Sequence, residues 1–245
     1  MNKKIYVTIV TLVTLASLVG SVFAAWYTMN SNPNFSSGSN WTVDTWMEGT
    51  GSHSYSISGG AAYTYLTISD YQKWGNTEYE QGTDPWATYG SGFTPVQADY
   101  TLRLVTNSKV TQRSVNWAYG LEQTYVEFWL KHKYGGDGTL GYEYAEAMII
   151  FDANDGLFVS PNAGQNQYWH KTAYDEWYFV GYRHWNVGSS YTYKETNLNS
   201  VFNQLDTYFG CDMSEWEVVC ICVGVEGTSA TVSAYWDYVI YDVAM

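Results

Sequence analysis

The chain of 245 residues has 24 acidic and 11 basic side chains, which gives a formal net charge of −13. Nucleic acids and anionic membranes bind through basic patches, so this charge argues against both as partners. The chain also holds 24 Tyr, 12 Trp and 22 Gly. Abundant aromatic residues and glycine favour β-structure, and the length suits one all-β domain.

Residues 1–25 have the pattern of a secretory signal. The first four residues carry positive charge, the run Ile5–Val22 is uncharged, and small residues suit cleavage after Ala24 or Ala25. The alternative is an uncleaved membrane anchor, because about 20 apolar residues span a bilayer. Both interpretations predict a secreted or cell-surface protein whose single domain covers residues 26–245.

The first part of that domain, residues 26–60, is rich in Ser, Asn, Thr and Gly, which predicts short strands joined by turns. Asn34 and Asn40 each begin an Asn-x-Ser/Thr sequon, so both are predicted glycosylation sites. The segment Ala25–Ser39 has no charge. It could add as a strand to a neighbouring subunit, which would make the protein a filament subunit.

Residues 70–99 are rich in aromatic side chains and show little strand-like alternation, which predicts a long functional loop. An aromatic ring can stack on the apolar face of a sugar, although each ring could instead cap the core. Two aromatic residues of the strand at 125–130 share the face of Glu127 and join this set. The predicted carbohydrate-binding residues are Trp74, Trp86, Tyr89, Tyr125 and Trp129.

Three predicted strands each place a glutamate on one face and apolar residues on the other. These glutamates are Glu127, Glu146 and Glu226. Alternation puts successive side chains on opposite faces, so each carboxyl group is expected on a face away from the core. Most glutamates in such positions are solvated surface residues. If the three share one concave face, they are candidate catalytic groups.

The segment Asp152–Gly156 after the second of these strands predicts a tight loop. Asp152, Asn154 and Asp155 offer oxygen ligands, so they are a candidate calcium site, although the later Glu of an EF-hand loop is missing. The alternative is a plain hairpin turn. No other cofactor is required by any motif of the chain.

Two further elements are predicted towards the C-terminus. Residues 177–185 form a strand, and residues 196–209 have apolar positions at helical spacing after the candidate caps Thr196 and Asn197. This is the one helix expected after residue 25, and we expect it on the outside of a sandwich.

The three cysteines are an odd number for a secreted chain. Cys220 and Cys222 lie two apart on one strand and point the same way, so they are poor partners for each other. We therefore expect one disulfide from Cys211 to Cys220 or Cys222, and one buried free thiol.

Short motifs resemble those of jelly-roll carbohydrate-binding modules. The stretch Asn32–Val43 resembles their opening strand, and Ala230–Tyr241 resembles their closing strand. Tyr100–Leu104 and Thr124–Lys131 are similar to their inner strands, so the resemblance covers most of residues 30–242. It implies an antiparallel β-sandwich of the concanavalin A-like kind that binds polysaccharide.

Residues 125–242 also resemble family-12 endoglucanases, which have the same jelly roll. In that family the nucleophile lies in a Glu-x-Met-Ile strand, matched by Glu146–Ile149, and the acid/base in a Gly-x-Glu strand, matched by Gly224–Glu226. The two glutamates are 80 residues apart, close to the family's spacing. The resemblance implies Glu146 as nucleophile, Glu226 as acid/base and Glu127 as the acidic neighbour that assists Glu146.

These observations predict a secreted jelly-roll protein at extracellular polysaccharide. The primary hypothesis is a non-catalytic binding protein or a structural surface subunit, because the longer resemblance is to binding modules. The alternative is a retaining endo-β-glucanase that hydrolyses β-1,4-glucan.

Overall fold

The computed structural model describes residues 25–115, 121–136, 143–155, 168–170, 177–183 and 188–245. The predicted signal or anchor segment before Ala25 lies outside these residues. In the described ranges, no helix is long and apolar enough to cross a membrane.

The regular elements of the described chain are β-strands, apart from one α-helix and a short 3-10 turn at Met213–Glu215. The helix α1 spans Leu198–Phe209. The strands are β1 Trp26–Thr28, β2 Thr42–Met47, β3 Gly51–Ser58, β4 Ala61–Ile68, β5 Trp74–Thr83, β6 Thr88–Tyr89, β7 Val96–Gln97, β8 Leu102–Val115, β9 Leu121–His132, β10 Tyr144–Asp155, β11 Tyr168–His170, β12 Trp177–Arg183, β13 Thr192–Asn197, β14 Trp216–Thr228 and β15 Ala230–Ala244.

These strands form two sheets. The six-stranded sheet has the order β13-β8-β15-β4-β3, and β1 pairs with β15. The nine-stranded sheet has the order β11-β12-β10-β9-β14-β5-β2, with β6 paired to β5 and β7 paired to β14. Every described pairing is antiparallel except β10 with β12. The predicted all-β jelly-roll sandwich with one helix is confirmed.

The core lies between the sheets and follows from the alternation of the long strands. One face of β9 contributes Val126, Phe128 and Leu130, all fully buried, and β15 contributes Trp236 and Tyr241 from the opposite sheet. Fully burying an aliphatic or aromatic side chain of this size contributes about 1.5–3 kcal/mol. Alternation therefore directs the other face of β9, with Glu127, away from the core.

A β-bulge interrupts the alternation of β14. The register with β9 shifts between Val218 and Cys220. Val218 therefore packs in the core, whereas Val219 packs with Trp129 on the opposite face. A bulge adds one unpaired residue, so it reverses the inside and outside positions on one side of it.

Helix α1 begins and ends where its sequence predicts. The side chain of Asn197 accepts a hydrogen bond from the backbone N–H of Ser200 at 3.3 Å, which is the expected N-cap. Gly210 ends the helix in the left-handed region, at φ 72°. Leu198 and Phe202 are among the helix residues that are buried in the main core cluster. The apolar face of the helix is thus part of the core.

The segment Ala25–Ser39 belongs to the fold of its own chain. Strand β1 pairs with β15, with Trp26 opposite Ala244. The side chain of Asn30 donates to the carbonyl oxygen of Val239 at 2.8 Å, and Phe35 is fully buried in the core. In this structure the segment therefore completes its own sheet, and its donation to another subunit stays a prediction.

The segment predicted as a long loop at residues 70–99 contains a ten-residue strand. Strand β5 pairs with β14 and with β2, one strand in from the β2 edge of the nine-stranded sheet. Its alternate residues Trp74, Asn76, Glu78 and Glu80 share one face. The many polar residues of this strand hid its period of two, because they face a cleft and not the core.

The predicted disulfide is absent, because all three cysteines are free thiols. Cys211 is buried in the core between the sheets, whereas Cys220 and Cys222 lie on the outer face of β14. The sheet itself separates the expected partners. Cys220 and Cys222 share a face as predicted, with their sulfur atoms 3.9 Å apart.

The predicted loop at Asp152–Gly156 is also a strand as far as the structure describes it. After a register shift between Ile150 and Asp152, strand β10 continues to Asp155 beside β9. Side chains of residues 152–155 lie outside the described part, so the calcium site stays a prediction.

Candidate active site

A cleft of about 810 Å³ covers the outer face of the nine-stranded sheet. Strands β2, β5, β14, β9, β10 and β12 form its floor, and the segment from Asp84 to Tyr89 forms one wall. No lysine, arginine or histidine is among the described residues that line it. Its carboxyl groups are Asp44, Glu78, Glu80, Asp84, Glu127, Glu146 and Glu226, and its large aromatic residues are Trp46, Trp74, Trp86, Tyr89, Tyr125, Trp129 and Phe179.

Strand register fixes the positions of the three predicted glutamates. Glu127 on β9 lies opposite Cys222 on β14, and Glu226 lies four residues further along β14, opposite Gln123. Glu146 on β10 lies opposite Trp129, on the other side of β9 from β14. The cleft therefore brings all three glutamates to one face, as the alternation predicts, but at unequal separations.

Glu127 and Glu226 lie on neighbouring strands. Their Cα atoms are about 13 Å apart along the strands and about 5 Å apart across them. Glu146 and Glu226 are two strands and six residues apart, which corresponds to about 10 Å across and about 20 Å along. Carboxyl groups of a retaining pair must approach to about 5–5.5 Å. The first separation is the smaller one, so Glu127 and Glu226 need the shorter approach to reach this distance, and the pairing of Glu146 with Glu226 stays a prediction.

Glu127 lies among the other carboxyl groups of the cleft, and their charges act on it. Its side chain is buried, and no described residue donates a hydrogen bond to it. Burial raises the pKa of Glu127 well above its ordinary value, and the nearby charges of Glu146, Glu78 and Glu226 raise it further. Like charges in a low-dielectric site cannot all ionise, so protons are shared among this group.

Glu226 is the more accessible of these carboxyl groups, since its side chain is only half-buried. The side-chain amide of Gln123 donates a hydrogen bond to its Oε1 atom. The same amide lies 3.2 Å from the sulfur of Met148. Gln123 therefore orients Glu226 from the neighbouring strand.

Glu78 is held in place from two sides. The Tyr125 hydroxyl donates to Glu78 Oε2 at 2.7 Å, and the Asn76 amide donates to Oε1. Burial raises the pKa of Glu78 to about 8, although the hydrogen bond from Tyr125 opposes this shift. Gly224 lies opposite Glu78, and a Cβ atom there would come within 2.6 Å of the Glu78 Cβ. A glycine is therefore needed beside this carboxyl group.

The pKa of Glu80 is raised further than the pKa of Glu78. Its side chain is 2% exposed, and its Oε2 atom has no hydrogen-bond partner. Burial, with the charge of Glu78, raises its pKa to about 11. Cys222 lies directly opposite Glu80 on β14, and burial also raises the pKa of its thiol.

An aromatic wall rises at the Glu146 end of the cleft. The Trp86 ring is 60% exposed and makes an edge-to-face contact with Trp129, with ring centroids 5.2 Å apart. Asp84 fixes this wall, because its Oδ1 atom accepts hydrogen bonds from the backbone N–H groups of Trp86 and Ala87, both at 2.8 Å. Trp46 on β2 and Glu226 on β14 both pair with Asn76 of β5, and Trp46 is 50% exposed.

The structure brings together all the residues that the sequence suggests for catalysis and sugar binding. Trp74, Trp86, Tyr89, Tyr125 and Trp129 all line the cleft. Tyr125 is almost fully buried and supports Glu78, so it is a supporting residue of the floor.

Sequence reasoning missed the acidic residues of β5 and β2. Glu78 and Glu80 continue the alternation that starts at Trp74, and Asp44 and Trp46 alternate in the same way on β2. That period of two was the available signal. The predicted glycosylation sites lie away from the cleft lining; Asn34 is exposed and Asn40 is half-buried.

No protein-family model matches the chain, and no curated protein is similar to it in sequence. Solved structures are similar to it in fold. The family 11 xylanase from Neocallimastix patriciarum has a TM-score of 0.55 at 12% identity, with 91% of this chain and 96% of that chain covered. A metagenome-derived glycoside hydrolase family 12 endoglucanase has a TM-score of 0.55 at 14% identity, with 91% and 98% covered.

Endoglucanase cel12A from Rhodothermus marinus has a TM-score of 0.52 at 16% identity, covering 89% of this chain and 96% of that chain. Identities this low show a shared fold and leave the chemistry open. The chain therefore has the concanavalin A-like jelly roll of these glycoside hydrolases. This agrees with the resemblance that its motifs suggest.

Proposed function

We propose that this protein is an extracellular glycoside hydrolase that cleaves a β-1,4-linked polysaccharide in the cleft, with Glu127 and Glu226 as its carboxyl pair. The observation that carries the proposal is the strand register. It places these two glutamates on adjacent strands of one concave face, in a cleft without basic residues in its described lining.

The pair differs from the one suggested by sequence motifs. Strand β9 lies between Glu146 and Glu226, which are offset by six residues, whereas Glu127 and Glu226 lie on neighbouring strands with an offset of four. Glu78 is closer to Glu226, but the hydrogen bonds that Tyr125 and Asn76 donate to its two oxygens hold this carboxyl group on the floor of the cleft. Glu127 keeps its carboxyl group available, so we assign it as the nucleophile.

The first step requires an ionised Glu127, so the proton shared by the buried carboxyl groups must reside on Glu146 or Glu78. The ionised Glu127 oxygen then attacks the anomeric carbon and the glycosidic C–O bond breaks. Glu226 gives its proton to the departing oxygen. In the second step, Glu226 takes a proton from water, and the water oxygen attacks the anomeric carbon and frees Glu127. Glu226 suits the acid/base role because it is more exposed and water can reach it.

Glu146 then acts as the neighbour that tunes Glu127. Glu146 lies on the adjacent strand, two residues from Met148, which is directly opposite Glu127. The charge of Glu146 raises the pKa of Glu127. The motif-based roles of these two residues are thus exchanged. Trp86 and Trp46 provide exposed rings on which sugar units can stack.

A non-catalytic polysaccharide-binding protein is the second candidate. The exposed rings of Trp86 and Trp46 favour it, because stacking platforms bind sugars without any carboxyl chemistry. The two candidates differ in whether a glycosidic bond breaks.

The deciding experiment measures reducing-end release from soluble β-1,4-glucan and from xylan. We compare the protein with the Glu127→Gln, Glu226→Gln and Glu146→Gln variants, and with Glu48→Gln, an exposed surface glutamate, as control. We expect Glu127→Gln and Glu226→Gln to lose at least about 1,000-fold in rate, and Glu146→Gln far less.

Azide should restore turnover to Glu127→Gly, since a small anion can replace the missing nucleophile. The first product should have the β-configuration. An active Glu127→Gln beside an inactive Glu146→Gln would return the nucleophile to Glu146. Binding without release from any substrate would establish the non-catalytic role.

A further inference from the structure

We propose that Glu78, Glu80 and Cys222 form a binding site for a divalent metal ion of the zinc class on the floor of the cleft. One ligand atom of each residue lies within 4.8 Å of those of the other two, and all three side chains are buried. None of the three has a role in the proposed hydrolysis.

Sheet geometry creates this cluster. Glu80 and Cys222 are direct cross-strand partners, and Glu78 lies two residues before Glu80 on the same face of β5. Zinc forms bonds of about 2.0–2.2 Å to carboxylate oxygen and about 2.3 Å to thiolate sulfur. Ligands of one tetrahedral ion are therefore about 3.5 Å apart. Small rotations of these side chains would reach that distance.

The Glu80 carboxyl group is the independent observation that points to a ligand. It is 2% exposed, and its Oε2 atom has no hydrogen-bond partner. A buried polar atom without a hydrogen-bond partner destabilises the fold. A cation between Glu80 and Cys222 would satisfy this oxygen directly.

Glu78 has the support that metal ligands usually have. The Tyr125 hydroxyl and the Asn76 amide each donate to one of its oxygens. A carboxylate offers about four lone-pair positions, so two stay available for an ion. Outer hydrogen bonds of this kind orient a ligand and fix its geometry.

The donor set selects the class of metal. A thiolate beside two carboxylates favours zinc or cobalt over calcium and magnesium, which prefer ligand sets made only of oxygen. Two carboxylates and one thiolate supply three negative charges, and a divalent cation leaves one. Among the residues that the structure describes, the cleft lining offers no basic side chain to share that charge.

The test is a titration of the protein with cobalt, which replaces zinc and gives an absorption band when it binds a thiolate. We expect one cobalt ion per chain, a thiolate-to-cobalt band in the near ultraviolet, and its displacement by zinc. Cys222→Ser should abolish the band. Cys211→Ser is the matched control, because Cys211 is a buried thiol in the core on the other side of the sheet.

Zinc affinity provides a second readout that leaves every thiol in place. Glu80→Gln keeps the shape of the side chain and removes its charge, so it should weaken zinc binding by at least about 100-fold in calorimetry. No thiolate band in the unmodified protein, or a full band in Cys222→Ser, would overturn the proposal. Neither readout depends on hydrolysis, so this site and the proposed function fail or stand separately.

Discussion

The two sheets differ in the partners of their buried acidic groups. On the six-stranded sheet, Asp242 is 4% exposed and accepts hydrogen bonds from Arg103 at 2.9 and 3.0 Å and from the Thr28 hydroxyl at 2.7 Å. On the nine-stranded sheet, the cleft gathers seven carboxyl groups, and no basic side chain is among the described residues of its lining.

The difference separates acidic groups that are paired with a cation from acidic groups that are not. A buried charge is tolerated in a stable fold when a partner compensates it, as Arg103 does for Asp242. Acidic groups that lack a cation shift their pKa values and reduce stability, which is typical of sites selected for chemistry. The unpaired acidic groups of the cleft therefore reduce the stability of the fold, as is typical of active sites. The paired Asp242 of the six-stranded sheet does not.

The largest effect on stability should come from breaking the structural pair. Arg103→Ala leaves Asp242 buried without its cation, so we expect a loss of about 3 kcal/mol in the free energy of unfolding. Urea denaturation measures it. Lys73→Ala is the control, because it breaks an exposed ion pair with Glu48 and should cost no more than about 0.5 kcal/mol. Equal losses would contradict the comparison.

A smaller loss should follow from filling the space beside Glu78. A Cβ atom at residue 224 would lie 2.4 Å from the Thr77 carbonyl oxygen and 2.6 Å from the Glu78 Cβ. Gly224→Ala should therefore destabilise the fold by about 2 kcal/mol, by pushing β5 from β14. Gly188→Ala, where no atom lies within 4 Å of the added Cβ, should stay near the original stability.

The aromatic wall should affect binding and leave folding intact. Trp86→Ala removes an exposed stacking ring, so we expect about 10-fold weaker polysaccharide binding, or about 1.4 kcal/mol, at unchanged melting temperature. Tyr55→Ala removes a ring of similar exposure from the other sheet and serves as control. Equal affinity of both variants would remove Trp86 from the binding surface.

The smallest predicted effect is a gain in the free energy of unfolding. Glu127→Gln takes away a buried acid that lies among Glu146, Glu78 and Glu226, and keeps the size of the side chain. We expect about 1 kcal/mol of added stability at neutral pH in calorimetry, together with the loss of hydrolysis. A destabilised Glu127→Gln would mean that Glu127 supports the fold.

Local pattern was enough to predict much of this molecule. Strict alternation placed Glu127, Glu146 and Glu226 on the outer face of their strands, and the Asn197 cap and apolar spacing located α1. These features depend on neighbours within a few residues, which the sequence displays directly.

Features that depend on the pairing of strands distant in sequence could not be predicted from local sequence pattern. Glu146 and Glu226 share a face, but only the order β10-β9-β14 shows that β9 lies between them. The bulge at Val219 and the separation of Cys211 from Cys220 also follow from tertiary packing. Strand β5 was missed because its polar face lies in a cleft that other strands complete.

The position of Ala25 has a consequence for attachment. Its carbonyl oxygen accepts a hydrogen bond from the backbone N–H of Met245 at 3.1 Å, and β1 lies in the six-stranded sheet. Ala25 thus lies at the sheet behind the cleft. A tether joined there, to a surface, a bead or a fusion partner, would present the open cleft outward to an incoming polymer.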